Sequence, residues 1–169
     1  MADELIDIVD EQNAIVGQML KSEAHKSGSL HRCVVAQLIN SKGEWLLVQQ
    51  SPDRQDGGQF VSPVGGHVQA GEVDDDALKR ESLEELGIPA QKFKKMGNVI
   101  FNREVIGRKE NHFFVLYEMY SDEQPKLNHE SVGIQSFSIA QLKKELKENP
   151  KKFGDSFFHV AEHFYPELL

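Results

Sequence analysis

The chain has almost no cysteine, one tryptophan and no long apolar run. Cys33 is the only cysteine in 169 residues, which excludes an intrachain disulfide and a cysteine metal cluster. It stands in the run Cys33-Val34-Val35-Ala36 and reads as a buried core residue. No stretch approaches the roughly 18 apolar residues that a membrane span requires. The start, Met1-Ala2-Asp3-Glu4-Leu5, is acidic and lacks the basic region and apolar core of a signal peptide, so a soluble cytoplasmic protein is expected. Basic residues are also in deficit. With 19 Lys and Arg against 27 Asp and Glu, the net charge is -8, which argues against sequence-independent nucleic-acid binding. The same excess would suit a carboxylate-rich site for a hard divalent cation.

What remains is an ordinary globular composition, long enough for one domain over residues 1–169. Leu5-Ile6-Asp7-Ile8-Val9 and Ile15-Val16-Gly17-Gln18-Met19 flank the turn formers 10–13 and predict a hairpin, forming an N-terminal extension over residues 1–30. A polar connection at 25–29 leads to two paired strands at 34–39 and 45–48, followed by a loop over 51–58. An acidic helix is expected from about Val73 to Leu86. Asp74, Asp75 and Asp76 lie at its positive end, and Gly87 and Pro89 stop it. Further strands are expected at about 96–102, 112–120 and 134–137. Ser138-Ile139-Ala140-Gln141 has capping-box form, and C-terminal helices are expected over 138–169.

The acidic helix carries the chemistry. At about 100° per residue, Glu81, Glu84 and Glu85 fall within an arc of roughly 100° and face one spot. Leu78, Ser82, Leu83 and Leu86 fall mainly on the adjoining side, which can dock on a sheet. Three clustered carboxylates repel one another and raise their own pKa values unless a cation joins them. Arg80 and Glu72 suit an orienting pair between helix and loop, and Gly66 would permit close approach of backbone to the metal.

From Gly66 through Glu72 and Arg80-Glu81-Ser82-Leu83-Glu84-Glu85-Leu86-Gly87-Ile88, the 23 residues of 66–88 resemble the Nudix box, G-x5-E-x7-R-E-U-x-E-E-x-G-U. Every charged and glycine position matches. Ser82 departs from the apolar residue usual there, and looser local packing is expected. The resemblance implies an α/β fold, an α/β/α sandwich around a mixed sheet, with a loop-helix-loop metal site. It implies a Mg2+-dependent pyrophosphohydrolase, with Mn2+ as a possible substitute, acting on a small-molecule diphosphate such as a nucleotide or nucleoside diphosphate derivative. By the same resemblance Glu81 and Glu85 are the principal metal ligands, with Gly66 beside them. Glu84 is a further ligand or the base that activates water, and Glu130 is its rival as base. Arg54, Arg103, Arg108 and Lys109 are candidates to meet phosphate. Phe60, Phe101 and Phe113 could stack on a base, but alternation places them in the core.

The flanks, Ile6-Asp7-Ile8-Val9-Asp10-Glu11, Ala24-His25, Leu30-His31-Arg32 and Ser62-Pro63-Val64-Gly65-Gly66-His67, are similar to isopentenyl-diphosphate isomerase and its hydrolase-like relatives. The essential isomerase cysteine falls at Gly65. Its downstream Glu-x-Glu corresponds to Glu110-Asn111-His112, so the second acid is a histidine. An isomerase-like activity is thus disfavoured, and a nucleotide-binding module without catalysis is the remaining alternative. His25, His31 and His67 match approximately the positions of a separate isomerase metal site. Ordinary hydrogen bonding is the simpler expectation for them, and His112, His129, His159 and His163 read as surface or packing residues.

Overall fold

Alternation along two strands organises the molecule. In the computed structural model, which describes residues 3–169, strand β3 (His31–Ile39) directs Val34, Ala36 and Leu38 to one face and Cys33 and Val35 to the other. Strand β8 (Arg108–Tyr120) runs parallel beside it and does the same, with Phe113, Val115, Tyr117 and Met119 on the first face and Phe114 and Leu116 on the second. Both faces are therefore apolar and both must be covered. Met1 and Ala2, the first residues of the expected N-terminal extension, lie outside the described residues.

Helix α2 (Asp74–Leu86) covers the first face with Ala77, Leu78 and Leu86. Helices α3 (Ile139–Glu148) and α4 (Asp155–Phe164) cover the second with Leu142, Leu146, Phe157 and Val160. The result is the expected α/β/α sandwich around a mixed, nine-stranded sheet. Ser138 caps α3 through the capping box with Gln141.

Strand β1 (Leu5–Val9) pairs antiparallel with β2 (Ile15–Leu20), as their sequences suggest. One expectation needs correction and two gain detail. The polar stretch taken as a connection is a short helix, α1 (Lys21–Ser27), whose Ala24 and His25 are buried. Its stability comes from what those two residues touch, because no side chain caps it and seven residues are too few for an independent helix. Second, β3 and β4 (Trp45–Gln50) pair only at Leu38–Leu46 and Ile39–Trp45. Beyond the turn they diverge: β3 pairs with β8, and β4 pairs with β9 (Ser131–Phe137). Third, the strands expected at 96–102 and 112–120 are present and belong to one long hairpin, 96–102 in the middle of β7 (Phe93–Val105) and 112–120 as the C-terminal part of β8.

Two short strands complete the sheet. β5 (Phe60–Val61) pairs with β4, and β6 (Val64–His67) pairs antiparallel with β3, setting Gly66 opposite Val34 and His67 opposite Cys33. β6 leads directly to the loop that precedes α2. Among the described residues no helix is long and apolar enough to cross a membrane.

Candidate functional site

Helix α2 begins with three aspartates where its dipole favours negative charge, and it ends at Gly87, whose φ of 65° is the left-handed turn that glycine adopts without strain. Leu78, Ser82 and Leu86 are buried, but Leu83 is 53% exposed and does not share the docking face expected of it. Packing at Ser82 is not loose either. Its side chain is fully buried, and its hydroxyl donates to the Ile88 carbonyl at 2.6 Å.

The opposite side of α2 meets β6. A Cβ built on Gly66 would clash with the Glu81 carboxylate, so glycine is required there for close packing on Glu81. The Gly65 amide donates to Glu85 Oε2 at 3.0 Å. Arg80 braces the arrangement. Its Nε and Nη2 donate to the two oxygens of Glu72 at 2.9 and 2.8 Å, Nη1 reaches Glu81 at 2.7 Å, and Nη2 also meets the His67 carbonyl at 3.0 Å. Glu72 in turn accepts from the Gln69 amide, which closes the loop before the helix. The carboxylates Glu72 and Glu81 hold the Arg80 guanidinium firmly protonated.

Burial pushes the Glu81 carboxyl up to about 7. Burial again, with the nearby Glu81 and Glu130 charges, raises Glu85 well above the usual carboxylate range. A buried and a half-buried carboxyl that resist ionisation side by side are a donor set that a divalent cation fits, since hard cations prefer oxygen ligands and remove the repulsion. Glu84 is 57% exposed at the rim, 3.6 Å from Arg80. Glu130 reaches the same place from the residue before β9 and is bonded to Arg54 at 2.8 Å.

These groups lie in a cleft of about 530 Å³ with Val48, Val61, Val64 and Phe114 among its walls. Of the phosphate candidates, Arg54, Arg103 and Arg108 line it, whereas Lys109 is exposed on the hairpin outside it. Arg103 is heavily engaged, donating to both oxygens of Asp56 at 2.7 and 3.0 Å and to Glu110 at 2.8 Å. Arg108 also donates to Glu110. Lys21 and His129 line the cleft too; the sequence alone assigns Lys21 no role and marks His129 as a surface or packing residue. The three candidate stacking rings are occupied. Phe113 is buried in the core that α2 covers, Phe101 stacks on Phe114 with centroids 5.6 Å apart, and Phe60 packs on Phe137.

His25, His31 and His67 come together, and His112 joins them, with His67 and His112 also lining the cleft. His112 is buried, so of its two readings the surface one is corrected and the packing one stands, with the other three imidazoles as its neighbours. The signal was in the sequence: Glu110 and His112 alternate onto one face of β8, and His112 stands in register with His31.

The NUDIX domain profile matches residues 29–157. A Nudix hydrolase from Deinococcus radiodurans is 31% identical over 137 residues, covering 79% of this chain and 77% of that protein. An isopentenyl-diphosphate Delta-isomerase from Serratia proteamaculans is 29% identical over 163 residues, covering 95% and 90%. A crystal structure of a protein from Deinococcus radiodurans superposes with a TM-score of 0.77 at 24% identity, covering 96% of this chain and 99% of that one.

Proposed function

The chain belongs to the Nudix hydrolase family, a pyrophosphohydrolase in general kind, and on that premise we propose that it is a Mg2+-dependent enzyme cleaving the diphosphate linkage of a nucleotide or nucleoside diphosphate derivative. The observation that carries this reading is the convergence of Glu81 and Glu85 on Gly65–Gly66, braced by Arg80 and Glu72, at the edge of an open cleft.

Glu81 and Glu85 would hold the cation, with Glu84 at the rim as a further oxygen donor. When bound, the cation supplies charge neutralisation to the diphosphate and to the leaving oxygen. Arg80 keeps Glu81 aimed, and Gly66 leaves the space in which it sits. Glu84 is the base in this reading: its exposed carboxylate takes a proton from water as the water oxygen bonds to phosphorus and the anhydride P–O bond breaks. Glu130 holds Arg54 towards the cleft, where the guanidinium can pair with phosphate oxygens, as Arg108 can from the other wall. Isomerase-like chemistry is disfavoured because Gly65 offers no acid at the position of the isomerase thiol.

The test is turnover of a panel of nucleoside di- and triphosphates and their derivatives with Mg2+ or Mn2+, wild type against Glu85→Gln. Loss of turnover by about 100-fold or more supports the metal role. Equal turnover by the variant removes it. Binding without turnover across the panel would favour a non-catalytic nucleotide-binding module instead.

A further inference from the structure

We propose that Asp56 is a positioning residue which, through Arg103 and Glu110, aims Arg108 at the diphosphate; the inference rests on reading the cleft as the substrate site. Four charged side chains of alternating sign run in one line from the loop before β5 to the hairpin of β7 and β8. Asp56 accepts from Arg103 Nη1 at 2.7 Å and from Nη2 at 3.0 Å, a two-point contact that fixes the guanidinium plane as well as its position. Arg103 Nε donates to Glu110 Oε1 at 2.8 Å. Glu110 Oε2 then accepts from Arg108 Nε at 2.9 Å and from Arg108 Nη2.

The line is closed at one end and open at the other. Asp56 is 4% exposed and held on every side. Ser156 Oγ donates to its Oδ2 at 3.3 Å, its amide donates to Gln50 Oε1 at 3.0 Å, and its carbonyl accepts from the Gln59 amide at 3.0 Å. A Cβ on Gly154 would lie 2.9 Å from the Asp56 carboxylate carbon, so a glycine before α4 is what lets that helix close over it. Arg108, at the far end, lines the cleft with 27% of its side chain exposed. Among the described residues its Nη1 has no hydrogen-bond partner. A guanidinium held on one edge and free on the other is able to meet a phosphate oxygen.

Stability alone does not account for the line. Taking charges out of water costs much of what their attraction returns, and a buried ion pair can often be replaced by apolar residues without loss. What the line supplies is direction. Arg108 opens β8 beside the hairpin turn at Ile106–Gly107, and its long side chain has several torsions to fix. Glu110 fixes them only while Glu110 is itself fixed, which is the work of Arg103 and, behind it, Asp56. Arg103 is thereby a strut and not a phosphate ligand, because it is committed to Asp56 and Glu110 at three points. Without the Asp56 charge, Arg103 would turn its fork towards Glu110 and compete with Arg108 for it.

The test compares Asp56→Asn, Arg108→Gln and the double variant of the full-length chain. KM and kcat are read on the best substrate of the panel, and binding of imidodiphosphate with Mg2+ is read by calorimetry. Asp56→Asn is expected to raise KM and the imidodiphosphate Kd about 10-fold, the size of one hydrogen bond to a charged group, and to leave kcat within about 2-fold. In the Arg108→Gln background the same substitution is expected to change them by less than about 3-fold, because Asp56 acts through Arg108. A merely structural role would lower Tm in both backgrounds without this coupling. A larger effect in the Arg108→Gln background overturns the proposal, as does a single variant with wild-type affinity or a loss confined to kcat. Tighter binding by Asp56→Asn would make Arg103 itself the phosphate ligand and overturns it too. Should Asp56→Asn fail to fold, Arg103→Lys, which keeps the charge but not the fork, is read in the same two backgrounds. If the wild type turns over no member of the panel, the hydrolase reading fails and imidodiphosphate binding decides, its absence overturning the proposal.

Discussion

Gly66 and Glu81 pack with no space between them for a side chain, since a Cβ on Gly66 would clash with the Glu81 carboxylate carbon and both its oxygens. Gly66→Ala therefore has to displace either β6 or Glu81. Overpacking of this kind costs about 1–3 kcal/mol, and a shift of about 1 Å in a reacting group can cost about 100-fold in rate. The expected outcome is a folded protein whose turnover falls ~100-fold, checked by thermal denaturation and steady-state kinetics on one preparation. Unchanged turnover would show that Glu81 does not need its present position.

Arg80 is the only cation within 4 Å of Glu72, Glu81 and Glu84 among the described residues. Arg80→Lys keeps the charge but not the planar fork that serves both Glu72 oxygens and Glu81 at once. Activity is expected to fall about 10–100-fold, with weaker Mg2+ dependence of Tm. Because the guanidinium is partly exposed, the stability loss should stay near ~1 kcal/mol. A variant with wild-type kinetics would make Arg80 a surface residue.

The box was legible in the sequence because its parts are local. Glu81, Glu84 and Glu85 share a helix face by periodicity alone, and Glu72, Gly66 and Arg80 lie within one loop and the next turns. The layers were legible for a similar reason, since Val34-Val35-Ala36 and Phe113-Phe114-Val115-Leu116 are apolar on both faces. What was not legible depends on distant partners. The parallel pairing of β3 with β8 sets His112 beside His31, and neither segment alone announces the other. Helix α1 has a polar sequence and forms because Ala24 and His25 find burial against the sheet. The β7–β8 turn rests on Ile106 at φ 44°, a left-handed residue that composition does not advertise.

Stability should depend on pH in opposed ways at the two clusters. Burial pushes Glu81 up to about 7 from an ordinary 4.5, and burial raises Glu85 well above the same ordinary value. The folded chain thus binds more protons than the unfolded one, and stability falls as pH rises from about 4.5 through 7. The histidines act the other way. Their lowered values mean that the unfolded chain binds more protons, so stability rises as pH climbs from about 4 to 6.5. Between about 4.5 and 6.5 the two offset, and above that only the carboxyls act. In chelator, Tm should decline from pH 6.5 to 8, and both Mg2+ and Glu81→Gln/Glu85→Gln should flatten the decline. A decline of equal slope in the variant would place its origin elsewhere.

Ser82 separates what the family pattern recommends from what this chain requires. The usual residue at this position is apolar, so Ser82→Leu would look like a repair. Here the side chain is fully buried, its hydroxyl satisfies the Ile88 carbonyl at 2.6 Å, and Met119 Sδ lies 3.4 Å away. Leucine would add volume to a filled site while leaving that carbonyl without the hydroxyl donor. The expected cost is about 1–3 kcal/mol, with Ser82→Ala nearer to ~1 kcal/mol because only the hydrogen bond is lost. Urea denaturation of the two variants checks the order. If leucine proved more stable than wild type, α2 would have slack against β8 that the present packing denies.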